Sequence, residues 1–278
     1  MRRIVLMLIS VLTVSAFGSI SGQNSVQLSE IDLVNLGDGQ LYGHKRDEAK
    51  TPLEGKTRII TGFTTEYIDA EFAKGGMATG KWEYYKKNNL SAYSSYKNGY
   101  QDGEWAELKS DGSPKQTGFY KEGKKDGKWE TYNNDGDVKE MEVYKDGGLE
   151  KRVTYYLNGN VDMERNFKNG KEHGVSKTYT QDGTLKSEKN YVAGKQVGRQ
   201  MQYYVTNHDH FIAVSNYNDK GKQEGEYTET YAENKKPKTK GQYVNGQKDG
   251  KWQYYSIGGT LTKEEVYEKG VEKSSTRF

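Results

Sequence analysis

Nine aromatic residues recur at nearly constant spacing along this chain. They are Phe72, Tyr96, Tyr120, Tyr144, Phe167, Tyr191, Tyr217, Tyr243 and Tyr267, at steps of 24, 24, 24, 23, 24, 26, 26 and 24 residues. A sustained period of this length is the signature of a repeat architecture. We count about nine units between roughly residue 50 and the C-terminus, the last of them truncated, with a degenerate first unit beginning near Leu53.

The block aromatic-x-x-Gly-x-x-x-Gly-x-aromatic recurs with this period. It is complete at Tyr96–Trp105, Tyr120–Trp129 and Tyr243–Trp252, and weaker copies start at the other leading aromatics. Aromatic and β-branched residues after the second glycine predict a strand. Pairs such as Asp111-Gly112 then supply the positive φ of a tight turn, and a second strand leads to the next aromatic. One unit is therefore one β-hairpin of about 24 residues.

Side-chain alternation predicts which residues share a face of the sheet. An apolar residue or Pro lies six positions before eight of the nine leading aromatics, such as Leu90 before Tyr96, and even spacing predicts that the two share a face. Trp82 and Tyr85 fall on opposite faces, so both faces carry aromatic residues. We therefore predict an all-β fold in which tandem β-hairpins form an elongated, twisted antiparallel sheet or solenoid, with about 18 strands over roughly 80–90 Å.

The composition agrees with a thin structure. Hydrophobic residues make up only 32% of the chain, which contains 33 Gly, 23 Tyr and 4 Trp. This disfavours a large enzyme with a thick aliphatic core, and the aromatic content disfavours disorder. The absence of Cys excludes disulfides, thiolate metal ligands and thiol nucleophiles.

Residues 1–22 have the features of a signal peptide. Arg2 and Arg3 precede an apolar stretch from Ile4 to Phe17, and small residues follow. Cleavage near Gly22 is our preferred site, and a cut after Ala16 is the alternative. We expect export to the periplasm, the outer cell envelope or the medium, with no transmembrane span in the mature chain.

The predicted mature chain is almost neutral, because without the two signal arginines it carries 40 Lys+Arg against 39 Asp+Glu. Nucleic-acid binding relies on a net basic face, so we expect no nucleic-acid partner. Residues 23–50 carry no repeat and are interpreted as a linker or as an N-terminal cap over the first hairpin edge. Residues 51–278 form the repeat domain.

The unit Asn-Gly-x-x-x-Gly-x-Trp-x-x-Tyr followed by Asp-Gly, as at Asn98–Trp105 and Asn245–Tyr255, resembles the bacterial MORN-variant repeat. Many such proteins are YwqK-type, antitoxin-like repeat proteins. The resemblance implies serial β-hairpins, a binding or scaffolding role and no catalytic residues.

Several central units depart from this pattern, and we expect them to be less regular. Lys151 replaces a second glycine, and other residues replace the tryptophan: Val153, Ser176, Gln200 and Tyr227.

The chain offers few candidates for chemistry. Its four histidines are His44, His173, His208 and His210. His208 and His210 flank Asp209 and could contact a metal, but no third ligand stands at a fixed spacing. We therefore predict no catalytic residue, no metal site and no cofactor, and a protein that is not an enzyme.

The rows of aromatic residues are the candidate binding platform, comprising Trp82, Tyr84, Trp105, Trp129, Tyr155, Trp252 and Tyr254. One interpretation is cross-strand packing that every unit needs for stability. The other is a surface that stacks on sugar rings, peptides or quaternary amines.

The sequence favours an exported, non-enzymatic repeat scaffold that contacts a protein or cell-envelope polymer through an extended aromatic β surface. The alternative is a cell-wall or glycan-binding module, because Trp252-Gln-Tyr254-Tyr255 is similar to the hairpins of wall-binding repeats. The second alternative, by family resemblance alone, is an antitoxin or immunity-type binder.

Overall fold

The computed structural model describes residues 24–37, 39–63, 65–206 and 209–278. The predicted signal peptide and His208 lie outside the described residues. The chain divides into two compact units, the first ending at Gly148 and the second running from Leu149 to Phe278. Both units consist of β-strands, and the prediction of an all-β fold of tandem hairpins is confirmed.

The first unit contains one 3₁₀ turn, η1 (Leu28–Glu30), and eleven described strands. These are β1 (Asn24–Gln27), β2 (Ile31–Asn35), β3 (Leu41–Lys45), β4 (Gly55–Ile60), β5 (Tyr67–Phe72), β6 (Ala78–Lys86), β7 (Asn89–Lys97), β8 (Tyr100–Leu108), β9 (Pro114–Lys121), β10 (Lys124–Tyr132) and β11 (Val138–Lys145).

Strands β4 to β11 pair with their sequence neighbours in antiparallel order. Strand β1 pairs in parallel with β4, and β2 and β3 form a separate hairpin. Ile31 and Leu53 join a buried cluster with Ile59, Phe72 and Trp82. The segment before the repeats therefore pairs with the first repeat strand, β4, and packs against the first hairpin.

In its described residues, the second unit consists of strands joined by turns. These are β12 (Gly148–Tyr155), β13 (Val161–Lys168), β14 (Lys171–Glu172), β15 (Gly174–Tyr179), β16 (Leu185–Val192), β17 (Lys195–Gln196), β18 (Gly198–Val205), β19 (His210–Tyr217), β20 (Gly225–Tyr231), β21 (Pro237–Val244), β22 (Gln247–Tyr255), β23 (Leu261–Glu268) and β24 (Val271–Arg277).

These strands also follow one another as antiparallel hairpins. Two central repeats are less regular, as expected from their missing tryptophans. The first strand of each is broken into two pieces, β14 with β15 and β17 with β18, interrupted at His173 and Val197.

The two turns of each repeat differ in kind. At Asn98-Gly99 both residues have positive φ, 51° and 82°, and the flanking Lys97 and Tyr100 pair directly. This is the two-residue turn that matches the twist of a hairpin. At Asp111-Gly112 only the glycine has positive φ, and the Asp111 carboxylate instead accepts a hydrogen bond from the Ser113 N–H at 2.9 Å. The tighter of the two is thus the turn that joins one repeat to the next, as at Asn98-Gly99, which we call the return turn.

Several return turns also bond to the repeat before them. The Gly123 N–H donates to the Gln101 carbonyl at 2.8 Å, and the Gly270 N–H donates to the Lys248 carbonyl at 2.9 Å. The Asp before the second glycine adds a side-chain acceptor, since the Asp126 carboxylate receives the Asp146 N–H at 3.3 Å. The motif Gly-x-x-Asp-Gly therefore stacks one turn on the next.

The prediction that Leu90 shares a face with Tyr96 is wrong. Tyr84 pairs with Ala92, but Tyr85 pairs with Leu90, so Ser91 is an extra residue that forms a β-bulge. A bulge offsets the alternation of side chains, and directly opposite residues share a face. Leu90 therefore lies with Tyr85, on the face opposite to Tyr96.

Tryptophans dominate the buried interior, with Trp82, Trp129 and Trp252 only 1–2% exposed. Two glycines make room for two of these indole rings. A Cβ added to Gly118 would lie 2.2 Å from Cδ2 of Trp129, and one added to Gly241 would lie 2.3 Å from Cδ2 of Trp252. The indole ring rests directly on the backbone of the preceding strand.

The substitution Gly118→Ala should destabilise the protein by about 1–3 kcal/mol, because the new methyl group overlaps the indole of Trp129. Gly258→Ala is the matched control, since its φ is not in the left-handed region and its nearest neighbour would lie at 3.6 Å. The control should change stability by less than about 0.5 kcal/mol. Urea unfolding followed by tryptophan fluorescence measures both; equal effects would contradict this account of the core.

Candidate binding surfaces

One face of the hairpins, the tryptophan face, carries Trp82, Trp105, Trp129, Trp252 and the leading aromatics. The ring centroid of Trp129 lies 5.1 Å from Trp105, 5.0 Å from Tyr120 and 6.3 Å from Tyr144. In the second unit, Trp252 has neighbours at the corresponding repeat positions. Its ring centroid lies 5.5 Å from that of Tyr227, 5.0 Å from Tyr243 and 6.5 Å from Tyr267. Each indole therefore joins the aromatic rings of consecutive repeats.

Lysine side chains cover these rings. The Lys125 Nζ lies 3.9 Å from the ring centroid of Trp129, and the Lys248 Nζ lies 4.2 Å from that of Trp252. A cation over an indole face is attracted by the ring quadrupole. The lysine two residues after the first glycine thus occupies the ring face that a ligand would need.

Three of the seven predicted platform residues, Trp82, Trp129 and Trp252, are buried and present no open ring. The indole N–H groups of Trp82 and Trp129 each donate to a backbone carbonyl at 3.1 Å, those of Glu71 and Phe119. The Trp252 N–H is buried with no hydrogen-bond partner. Packing against neighbouring aromatic rings accounts for the burial of all three indoles.

The other four platform residues, Trp105, Tyr84, Tyr155 and Tyr254, are partly buried. Burial raises the pKa of the Tyr84 phenol well above its usual value, and its hydroxyl lies 3.5 Å from that of Tyr96. The role of these four in ligand binding stays a prediction.

Tyr254 belongs to a polar network around the buried Glu265. The Tyr254 and Tyr267 hydroxyls donate to this carboxylate at 2.7 Å and 2.9 Å, and Lys263 forms an ion pair with it. Burial acts to raise the pKa of Glu265, but the hydrogen bonds from Lys263, Tyr254 and Tyr267 outweigh it and lower the pKa to about 2. The charged carboxylate therefore stabilises the fold above its ordinary pKa, and this contribution is lost as the pH falls toward 2.

The opposite face, here called the lysine-glutamate face, is defined by Lys81, Glu83 and Tyr85 and by their counterparts in other repeats. The Lys81 Nζ lies 2.9 Å from the Glu83 carboxylate, which also accepts a hydrogen bond from the Tyr85 hydroxyl at 3.0 Å. Lys128, Glu130 and Tyr132 repeat this arrangement. Exposed ion pairs of this kind add little stability.

A shallow groove of about 410 Å³ lies in the first unit. Its lining residues are Tyr93, Glu104, Trp105, Thr117, Gly118, Phe119 and Lys128. Phe119 is 40% exposed, and Glu104 lies directly opposite it on β8. The groove thus joins aromatic surface to both signs of charge, and it includes the predicted platform residue Trp105.

The sequence also contains a signal, not used in the predictions above, for which aromatic rings of the tryptophan row pack against the preceding strand. The residue two positions before the leading aromatic is small where an aromatic follows in the tryptophan row: Ala70, Ser94, Gly118, Ser215 and Gly241. It is long and basic before Ser176 and Gln200, where Arg165 and Lys189 stand. A small residue on one strand leaves room for the aromatic ring of the next strand. A small residue two positions before the leading aromatic, followed by an aromatic in the tryptophan row, therefore predicts that the ring packs on the sheet.

The histidines that the structure describes have separate contacts. His210 lies beside Tyr203, with ring centroids 6.3 Å apart, and His44 contacts the Lys45 carbonyl through Nδ1. Within the described ranges, no cluster of three or more His, Asp or Glu side chains is placed to hold a metal ion.

Three consecutive segments, residues 125–146, 151–169 and 172–193, match the family model of the MORN repeat variant. The chain contains MORN-variant repeats. In the structure each matched segment is one hairpin, formed by β10 and β11, by β12 and β13, and by β14 to β16. The YwqK-type assignment stays a prediction.

A comparison with curated proteins found no match to this chain. In the part of the chain that the structure describes, no helix is long and apolar enough to span a bilayer.

The substitution Trp129→Phe should cost more stability than Trp252→Phe, by roughly 1 kcal/mol or more. Both remove similar buried ring area, but the first also leaves the Phe119 carbonyl without its indole donor. The second removes a buried N–H that has no partner. Chemical denaturation of the two variants measures the difference, and a larger loss for Trp252→Phe would contradict the hydrogen-bond assignment.

Proposed function

We propose that this protein is an exported, non-enzymatic repeat scaffold that binds another protein of the cell envelope or a secreted protein. The observation that carries the proposal is the groove around Phe119, where an exposed aromatic ring lies between Glu104 and Lys128. Interfaces are typically built from a few aromatic anchors with charged groups around them.

The distribution of rings between the two faces supports this choice. On the tryptophan face the largest rings are packed against neighbouring repeats and covered by Lys125 and Lys248. The groove instead leaves part of Phe119 in solvent. Aromatic surface that is not buried by packing within the fold is available to a partner.

Export rests on residues 1–22, whose charged start, apolar stretch and small residues are typical of a signal peptide. The partner would then be a macromolecule outside the cytoplasm. The glycan-binding alternative depends on open rings at Trp129 and Trp252, and both are buried. The antitoxin alternative has support only from the resemblance.

A photo-reactive phenylalanine analogue at position 119, in the full chain produced in its own cells, should give a discrete cross-linked protein product. The same analogue at Val192, a residue 50% exposed at a hairpin end, is the matched control and should give none. Lys128→Glu should lower the cross-linking yield at position 119 at least fivefold, because it reverses a charge at the groove. Mass spectrometry identifies the product.

Equal products from positions 119 and 192 would contradict the groove as the binding surface. Products that carry only glycan would favour the wall-binding alternative. Fractionation of the same cells tests export, and a chain that stays in the cytoplasm with its first 22 residues intact would contradict that part of the proposal.

A further inference from the structure

The tryptophan row of the second unit has a gap at Ser176. This residue occupies the position of Trp129 and Trp252 in their repeats, but its side chain ends at a hydroxyl. A cavity of about 170 Å³ lies there, bordered by β13, β15 and β16. The Ser176 Oγ is buried and has no hydrogen-bond partner in the part of the chain that the structure describes.

The other replaced positions of the row fill their space. Gln200 is 5% exposed, and its amide donates to the Asn190 carbonyl at 3.2 Å, as the Trp129 indole donates to the Phe119 carbonyl. Val153 is 3% exposed, and the Tyr227 ring packs against Trp252 with an interplanar angle of 30°. Among the positions of the row where another residue replaces tryptophan, Ser176 is the one described residue whose buried side-chain oxygen has no hydrogen-bond partner.

The cavity is lined by hydrogen-bond donors. Lys189 lies directly opposite Ser176 in the sheet, and no ion pair or hydrogen bond of its ammonium group is found among the described residues. The Tyr191 hydroxyl accepts a hydrogen bond from Gln196 at 3.2 Å, so its own proton remains to be donated. Donors without acceptors around the buried Ser176 Oγ favour an acceptor-rich ligand.

The charge of the site suits a monoanion. Arg165 and Lys189 are positive, and Glu172, which lies 3.2 Å from the Arg165 Nε, is negative. Lys177 also lines the cavity, and its Nζ lies 3.3 Å from the Glu188 carboxylate. Of the three cations, Lys189 is therefore the one left without a counter-charge among the described residues. A carboxylate carries a single negative charge and accepts several hydrogen bonds, whereas a phosphate dianion would leave an excess of negative charge beside Glu172.

We propose that the Ser176 cavity is a binding site for a carboxylate group. The carboxylate accepts hydrogen bonds from the Ser176 and Tyr191 hydroxyls and pairs with the Lys189 ammonium, while Glu172 holds Arg165 at the rim. The cavity lies in the second unit and the Phe119 groove in the first, so this site does not depend on the proposed scaffold function.

Titration of the isotope-labelled full chain with N-acetylglutamic acid α-amide, glucuronate, acetamide and inorganic phosphate tests the site by NMR. Either acid should shift the amide signals of Ser176 and Lys189, and neutral acetamide should not. Lys189→Gln should weaken acid binding at least fivefold. Lys186→Gln is the matched control and should bind within twofold of the parent, because Lys186 is exposed on the same strand and forms no ion pair among the described residues.

A second variant fills the cavity. Arg165→Gly with Ser176→Trp restores the pairing of a glycine and an indole seen at Gly118 and Trp129, and it should abolish acid binding and raise the melting temperature. Binding that depends on Lys189 supports the site, and the tighter of the two acids identifies a peptide or a sugar acid as its source. Acid binding unchanged in Lys189→Gln, no binding of either acid, or tighter binding of phosphate would overturn the proposal.

Discussion

The contact between an indole ring and the bare backbone of the preceding strand is the interaction on which the structure depends. A single hairpin cannot bury its own aromatic side chains, and two strands alone are marginally stable in water. Trp129 solves this by packing on Gly118 while touching Tyr120 and Tyr144. The core is therefore rebuilt repeat by repeat wherever the tryptophan row carries an aromatic ring, as expected of a repeat protein whose units contact only their neighbours.

This construction decides which surfaces are available for binding. Rings that join repeats are buried, and Lys125 and Lys248 lie over two of them. Aromatic surface remains open where the packing does not require it, at Phe119. Where a repeat lacks its ring, at Ser176, the same geometry leaves a polar cavity between Arg165 and Lys189. Departures from the repeat are thus the places where binding chemistry becomes possible in a fold of this kind.

The period of the aromatic residues was sufficient to predict the hairpins, since Asn-Gly and Asp-Gly pairs and strand-forming residues recur in register. The face of Leu90 could not be predicted in this way, because the bulge at Ser91 depends on pairing with the neighbouring strand. The burial of Trp252 follows from Gly241, a residue eleven positions earlier that alternation alone does not connect to it. Both features depend on contacts between strands, whereas the period is a property of each strand.

Hydrogen exchange of the full chain carrying Trp129→Ala tests the central claim most directly. If hairpins are held by the rings of their immediate neighbours, amides in β8 to β11 should lose protection while those in β20 to β23 keep theirs within about threefold. A uniform loss of protection across both units would contradict the account, because it would show that a shared core, and not the ring-to-ring contacts between adjacent repeats, holds the strands together.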